Sequence, residues 1–151
     1  METNTADMLP QALLIGIPSI DAQHEHIFRS IESLKESCYG SGPESLDDFV
    51  SLLQYLEFHF ASEEELAQTL GVDFYEHSSV HRHNLQSLYR AFDGVRSGAR
   101  DVHSFLRYAE YWFERHITDE DKPFAATVHA RQRKMAAALS SSSAGTDTVK
   151  E

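Results

Sequence analysis

Histidine and carboxylate side chains, which bind transition metals, recur at helical spacing along this chain. His59 and Glu63 are four residues apart, and so are His77 and His81. On a helix, at about 100° per residue, that spacing puts both members of a pair on one face, one turn apart. A buried carboxylate beside a buried imidazole is costly unless something pairs with it or binds it. We therefore treat these four residues as candidate metal ligands.

Three further residues of the same types, His24, His116 and Asp121, extend the pattern to other segments. Together the seven residues are five imidazoles and two carboxylates, which is more than one tetrahedral zinc site requires. Seven ligands suit two metal ions if the carboxylates bridge them. Imidazole with carboxylate favours iron, zinc, copper or nickel over magnesium or calcium. A purely structural role is disfavoured, because the same faces carry no compensating lysine or arginine.

Four amphipathic segments would position these residues, and their apolar side chains recur at intervals of three and four. We expect helices at 18–38, 45–70, 73–98 and 101–122, followed by a short helix to about residue 139. Their starts are expected at Ser19 or Asp21, at Ser45 and at Asp73, whose side chains can accept hydrogen bonds from free backbone N–H groups. Pro123 cannot lie inside a helix and is expected to begin the last one.

Short connections between four amphipathic helices predict an all-α, antiparallel up-down-up-down four-helix bundle. We expect an N-terminal arm at 1–17, the bundle with its short C-terminal helix at 18–139, and a disordered tail at 140–151. In such a bundle the start of the first and third helices and the end of the second and fourth lie at the same end. All seven candidate ligands are therefore predicted to meet in one layer.

The composition limits the classes of partner. The 151 residues carry a net charge of -11, which argues against binding to nucleic acid or to an anionic membrane. Cys38 has no second cysteine to pair with and is expected to be a small core residue. No signal peptide is recognised, so we expect a cytoplasmic protein. We expect a monomer, because no apolar stripe is left over that is large enough to demand a partner. Four histidines outside the pattern are expected on the solvated surface: His26, His83, His103 and His129.

The sequence resembles the hemerythrin family, in particular the single-domain bacterial hemerythrins, over about residues 14 to 124. Four motifs carry the resemblance, and they include every candidate ligand. They are Ile20-Asp21-Ala22-Gln23-His24, then His59-Phe60-Ala61-Ser62-Glu63-Glu64, then His77-x3-His81, and Trp112-Phe113-Glu114-Arg115-His116-Ile117 with Asp121 five residues beyond the histidine.

The resemblance implies a non-haem di-iron centre, cycling between Fe2+ and Fe3+, that binds O2 reversibly. One iron would be held by His77, His81 and His116, and the other by His24 and His59. Glu63 and Asp121 would bridge the two irons together with an oxo or hydroxo group. Apolar walls of the O2 pocket would come from Phe60, Trp112, Phe113 and Ile117. Phe113 departs from the family, which usually has leucine at this position.

The function implied is oxygen carriage, storage or delivery, with an oxygen-consuming enzyme as a possible recipient. Two alternatives share the same site. One is a di-iron enzyme, such as an oxidase, a peroxidase or a nitric-oxide reductase, and the other is an oxygen or iron sensor. An enzyme would require a general acid or base near the open metal position. The sequence does not place the three candidate tyrosines, Tyr55, Tyr108 and Tyr111.

Overall fold

The structure, a computed structural model, describes residues 9–38 and 46–150. Most of this part of the chain is helical, and none of it forms a strand. The five α-helices are α1 Pro18–Ser37, α2 Asp47–Leu70, α3 Tyr75–Arg96, α4 Val102–His116 and α5 Lys122–Lys150. A 3₁₀ turn at Gln11–Leu13 precedes them, and a π-helical turn at Ile117–Asp121 joins α4 to α5.

The first four helices form a ring in which each packs against two neighbours. Helix α1 contacts α2 and α4, and α3 contacts the same two helices. Two cross-helix contacts show that α1 and α4 are antiparallel. His103, near the start of α4, hydrogen-bonds the carbonyl oxygen of Cys38, just beyond the end of α1, at 3.1 Å. Lys35 Nζ, in the last turn of α1, lies 2.6 Å from Glu110 Oε1. The predicted all-α up-down-up-down bundle is confirmed.

The apolar stripes predicted from the 3.6-residue period form the core. Three phenylalanines anchor the end of the bundle that lies away from the candidate ligands. Phe49, Phe92 and Phe105 are fully buried, and each ring centroid lies 6.1 Å from the other two. Cys38 is also fully buried at this end, as predicted.

The helix starts differ in part from the expectation. Helix α1 has Ile17 as its N-cap and Pro18 as its first residue, and neither Ser19 nor Asp21 caps it. Asp21 instead reaches backward, so that its two carboxylate oxygens accept hydrogen bonds from the backbone N–H groups of Ile15 and Gly16 at 2.9 and 3.1 Å. A carboxylate in the first turn is also stabilised by the helix dipole. Asp21 is therefore favoured both by these hydrogen bonds and by its position in the helix.

The other two expected starts have different outcomes. Asp73 does not cap α3 in the ordinary sense, because the helix begins at Tyr75 after an N-cap at Phe74. Its carboxylate accepts a hydrogen bond from the Tyr75 N–H at 3.1 Å and so still serves the first turn. Ser45 lies outside the described residues.

The described part of the arm, residues 9–17, is docked against α5. Leu9, Ile15 and Ile17 are buried, and His129 Nε2 lies within hydrogen-bonding distance of the Gly16 carbonyl oxygen at 2.9 Å. Gly16 has a φ of +81°, and a Cβ atom there would lie 3.0 Å from the His129 ring. Both the backbone conformation and the close approach of the imidazole therefore require glycine.

Two of the four histidines predicted to be solvated are hydrogen-bonded and half-buried, so that prediction is wrong for them. His103 contacts the end of α1, and His129 contacts the arm. His26 and His83 are exposed, as predicted. The period of a helix identifies its core-facing side, but it does not indicate which outer residues meet a neighbouring loop.

The last helix is longer than expected. The sequence predicts an end near Leu139 and a disordered tail, whereas the backbone is helical to Lys150. A run of alanines at 136–138 favours helix, and no proline follows it. The division of the chain into arm, bundle and tail stays a prediction. Within the described residues, no helix has the length and apolar character needed to cross a membrane.

Replacement of Phe92 by alanine tests the role of the phenylalanine cluster. We expect the free energy of unfolding to fall by about 3–5 kcal/mol, because a large cavity is left in a close-packed core. Urea denaturation of the metal-free protein measures this change. Since the cluster lies at the opposite end from the histidines, the folded variant should bind as much metal as the wild type. A loss of metal binding in the folded variant would show that the two ends are coupled.

Candidate metal centre

All seven predicted ligands lie together at one end of the bundle. The first half of α1 supplies His24, the second half of α2 supplies His59 and Glu63, and the first half of α3 supplies His77 and His81. The end of α4 and the π-helical turn supply His116 and Asp121. Six of the seven residues are buried, and the His77 side chain is 10% exposed. The antiparallel arrangement therefore produces the layer that the sequence predicts.

Glu63 lies between two sets of histidines. Its Oε1 atom is 3.2 Å from His81 Nε2 and 3.4 Å from His77 Nε2. Its Oε2 atom is 3.2 Å from His59 Nε2 and 3.7 Å from His24 Nε2. One carboxylate thus presents a different oxygen to each set.

Asp121 repeats this arrangement from the other side. Its Oδ1 atom is 3.1 Å from His77 Nε2 and 3.3 Å from His116 Nε2, and its Oδ2 atom is 3.1 Å from His24 Nε2. The seven residues therefore divide into a three-histidine group and a two-histidine group that share both carboxylates. The three-histidine group is His77, His81 and His116, and the two-histidine group is His24 and His59. Within each set of ligands, one donor atom per residue lies within 4.8 Å of every other.

The π-helical turn at Ile117–Asp121 brings Asp121 into the site. In a regular α-helix, residues five apart are separated by about 140° around the axis, so Asp121 would point away from His116. A turn closed by i→i+5 hydrogen bonds is wider, and residues five apart come to lie nearly above one another. It also leaves Glu120 beside the same imidazole, with its Oε1 atom 3.1 Å from His116 Nδ1. Consecutive carboxylates thus approach both nitrogens of one ring.

The arrangement of the ligand atoms suits metal binding better than hydrogen bonding among the side chains. Five buried atoms at the centre of the layer lie close to one another or to other ligands but make no hydrogen bond of acceptable geometry among the described residues: His24 Nε2, His59 Nε2, Oε1 and Oε2 of Glu63, and Asp121 Oδ2. Buried polar atoms are almost always hydrogen-bonded, so five exceptions in one place require an explanation. Metal ions bound by imidazole and carboxylate would satisfy all five.

Comparison with known proteins agrees with this arrangement. Residues 15–128 match the family model "Hemerythrin HHE cation binding domain". The chain belongs to the hemerythrin family. Among curated relatives, it is 25% identical over 121 residues to the bacteriohemerythrin of Clostridium acetobutylicum, covering 73% of this chain and 92% of that protein. The match includes every helix that carries a candidate ligand, and the family is named for cation binding, as the seven side chains indicate.

The two carboxylates of this hemerythrin-family site are strongly favoured as anions. Burial alone would raise the pKa of Glu63, but contacts with four surrounding histidines hold it well below its usual range. For Asp121, burial and the nearby Glu63 charge raise the pKa, and contacts with His116, His24 and His77 outweigh them and lower it. Two negative charges are therefore held in a layer that contains no buried lysine or arginine among the described residues.

The three histidines that contact Asp121 differ in pKa from the two that contact only Glu63. Burial would lower the pKa of His24, His77 and His116, but contacts with the carboxylates raise all three, and that of His116 rises to about 10. Burial dominates at the other two, lowering the pKa of His59 and lowering that of His81 to about 4. In the metal-free protein, the proton that His116 carries near neutral pH thus balances part of the carboxylate charge.

The four predicted wall residues of the hemerythrin pocket surround the ligands unequally. Phe113 lies against the two-histidine group, with its ring centroid 5.2 Å from that of His24 and 6.0 Å from that of His59. Phe60 stacks on His81 at 3.9 Å, and Trp112 stacks on His116 at 5.4 Å. Ile117 is fully buried in the π-helical turn.

Two further aromatic residues cover the least buried ligand. Phe74 stacks on the His77 ring at 4.4 Å, and Phe124 from α5 meets it edge-on at 5.2 Å. Helix α5 is held in place by Arg131, whose Nε donates to the Leu70 carbonyl oxygen at 2.8 Å. The last helix is thus part of the wall of the site.

The sequence prediction omitted two polar residues that touch ligands. Gln23 Oε1 lies 2.7 Å from His59 Nδ1, and Glu120 lies beside His116. Gln23 stands directly before His24 in a quoted motif, and Glu120 is four residues beyond His116. Helical spacing could therefore have suggested Glu120, whereas the contact of Gln23 with a ligand on another helix has no signal in the chain.

The raised pKa of His116 predicts that metal binding releases protons. A ligating imidazole nitrogen must be unprotonated, so metal must displace the proton that His116 carries in the metal-free protein near neutral pH. We expect metal binding to release protons and the affinity to increase as pH rises from about 6 towards 9. Calorimetric titration of the metal-free protein with Zn2+ in buffers of different ionisation enthalpy measures the release.

A His103→Gln variant is the matched control, because His103 lies at the other end of the bundle. It should release as many protons as the wild type. Proton release that is absent in the wild type would contradict the electrostatic description of the site.

Proposed function

We propose that this protein binds O2 reversibly at a non-haem di-iron centre, for carriage, storage or delivery of oxygen. One observation carries the proposal: both carboxylates are shared, but the histidines are divided three and two. If these groups held two ions of the same metal, one ion would have one protein ligand fewer than the other. The position beside His24 and His59 would have a place for an external molecule, and the other would not.

The distances between the side chains support an assignment of the ligands to two proposed irons. The three-histidine group would hold one iron, the two-histidine group would hold the other, and Glu63 and Asp121 would bridge them with a solvent-derived oxo or hydroxo group. Bound there, the iron pair would supply the electrons and the open ligand position for reversible oxygen binding. Similarity to a protein named bacteriohemerythrin supports this choice of metal and ligand, at 25% identity.

Phe113 is the residue best placed to protect the open position. It is 1% exposed and lies between the two-histidine group and Phe28, whose ring centroid is 5.2 Å from its own. An apolar ring at this point keeps water and protons away from His24 and His59, which favours reversible binding over loss of the electrons to solvent. A bulky side chain here also narrows the space left for a ligand, so that a diatomic molecule fits better than a larger substrate.

The positions of the tyrosines favour a binding protein over a di-iron enzyme. Tyr108 and Tyr111 are 37% and 66% exposed. Tyr55 packs against the exposed His26 at 4.1 Å on the outer side of α1 and α2. Tyr108 and Tyr111 therefore lie at the surface, and the half-buried Tyr55 packs on His26, which is not a candidate ligand. This placement supports oxygen binding without turnover.

Iron content and oxygen-dependent absorption test the proposal. The purified protein is loaded with Fe2+ under nitrogen, exposed to air and returned to nitrogen. We expect two irons per chain and near-ultraviolet to visible charge-transfer bands that appear with oxygen and disappear when it is removed, over repeated cycles. The bands should be absent from a Glu63→Ala variant, because it lacks a carboxylate shared by both groups.

Three results would contradict the proposal in different ways. Two irons that oxidise at once and irreversibly would exclude a carrier and favour an enzyme or sensor. Continuous consumption of peroxide or nitric oxide would favour an enzyme. Binding of zinc but not iron by the metal-free protein would exclude the di-iron centre itself.

Replacement of Phe113 by leucine tests the protective wall. We expect the oxygen-dependent absorption to decay several-fold faster, because the smaller side chain admits water to the two-histidine group. Phe105→Leu is the matched control, since it removes the same atoms from the buried cluster at the opposite end of the bundle. Both variants should lose stability, but only Phe113→Leu should shorten the lifetime of the absorption. Equal lifetimes in the two variants would exclude a protective role for Phe113.

A further inference from the structure

Gln23 forms the central link of a hydrogen-bond chain that ends on a candidate ligand. His59 turns its Nε2 atom toward Glu63 Oε2, at 3.2 Å. Its other ring nitrogen, Nδ1, lies 2.7 Å from Gln23 Oε1. Gln23 belongs to α1 and His59 to α2, so the contact also joins two helices beside the metal layer.

Ser62 fixes the direction of the chain. Its hydroxyl donates to the carbonyl oxygen of Phe58, one turn earlier in α2, at 3.0 Å. The serine oxygen is then free to accept, and the Gln23 side-chain NH2 donates to it at 3.2 Å. Since the amide nitrogen faces Ser62, the amide oxygen must face His59. An acceptor at that point requires His59 Nδ1 to be the donor.

The consequence concerns the nitrogen that faces the metal. A neutral imidazole with its proton on Nδ1 has a lone pair on Nε2, which is the form that binds a metal ion. The chain of hydrogen bonds therefore holds His59 both in the orientation and in the tautomer that a ligand needs.

The two groups of histidines differ in the charge of this supporting partner. His59, in the two-histidine group, meets the neutral amide of Gln23, while His116, in the three-histidine group, has the Glu120 carboxylate 3.1 Å from its Nδ1. A carboxylate beside the second nitrogen raises the basicity of the metal-binding nitrogen more than a neutral amide does, so the imidazole binds a metal ion more strongly. The Nδ1 atoms of His24 and His116 both lack a hydrogen bond of good geometry among the described residues, but only that of His116 has a carboxylate beside it.

We propose that Gln23 is the positioning residue of the two-histidine group, and that its neutral amide makes this position the weaker of two that fill in sequence. The three-histidine position, with an additional imidazole and the Glu120 carboxylate, fills first. This inference rests on the part of the proposed function that concerns two metals, and it does not depend on oxygen binding.

Anaerobic titration of the metal-free protein with Fe2+ tests the order of filling. We expect two resolved steps in the wild type. Gln23→Leu should weaken the second step by roughly 10- to 100-fold and leave the first unchanged, since loss of an outer partner of a metal-bound histidine has effects of this size. Gln23→Glu, which keeps the shape and adds a charge, should restore or strengthen the second step. Glu120→Gln is the matched control at the other group and should weaken the first step.

The nitrogen resonances of His59 give a readout that a merely structural role would not change. In the metal-free wild type and in Gln23→Glu, nuclear magnetic resonance should show the proton of His59 on Nδ1, and Gln23→Leu should lose this preference because the acceptor beside Nδ1 is gone. Ser62→Ala frees the amide of Gln23 to rotate and should weaken the second step by a smaller factor than Gln23→Leu.

Two results would overturn the inference. One is a Gln23→Leu variant with both iron steps unchanged. The other is a variant in which both steps weaken equally, with no recovery in Gln23→Glu, since this would show a general loss of packing. Failure of the proposed function looks different: the wild type would bind two Fe2+ ions in sequence but give no reversible oxygen-dependent absorption.

Discussion

The burial of two carboxylates in one layer of a helical bundle is the constraint on which the rest of this structure depends. Glu63 and Asp121 are completely buried, and no buried lysine or arginine in the described part of the chain balances them. Charge of this kind is tolerated in a protein interior only if it is paired. Five imidazoles surround the two side chains, so the balance comes either from protons on histidine or from metal ions. Each helix of the bundle contributes to this layer, and the helices meet there with their correct ends because they are antiparallel.

Much of the architecture could be predicted because it follows from residue spacing. The buried stripe of α1, from Ile20 to Leu34, and the pair His59 and Glu63 follow from the period of a helix. The convergence of the ligands follows from the alternating direction of the four helices. These features depend on local geometry and on a simple topology, and the structure contains both. The assignment of the seven residues to individual irons came from the resemblance and remains a prediction.

Other features could not be predicted because they depend on contacts between distant segments. The prediction placed the carboxylate of Asp21 at a helix start, whereas it holds the arm, and His129 meets Gly16 across more than a hundred residues. Gln23 was read as part of a motif, but only the packing of α1 on α2 shows what it touches. The sequence predicts only a short terminal helix after Pro123, and Phe124 and Arg131 make α5 part of the cover over the metal layer. His129, Gln23 and Arg131 each contact a backbone or ring far away in the sequence, whereas Asp21 turns back on the chain five and six residues before it.

The π-helical turn has a consequence for any attempt to make this protein more stable. The position of Asp121 depends on the backbone hydrogen bonds of this turn. Exposed residues such as Thr118 and Asp119 belong to the turn but are not ligands themselves. Substitutions that raise α-helix propensity at such surface positions are a common way to stabilise a helix. Here they would favour a regular α-turn, in which Asp121 points away from His116. Substitutions that stabilise the helix can therefore damage the metal site even when they are made at solvent-facing residues. A search for residues that contact the ligands would not identify these positions.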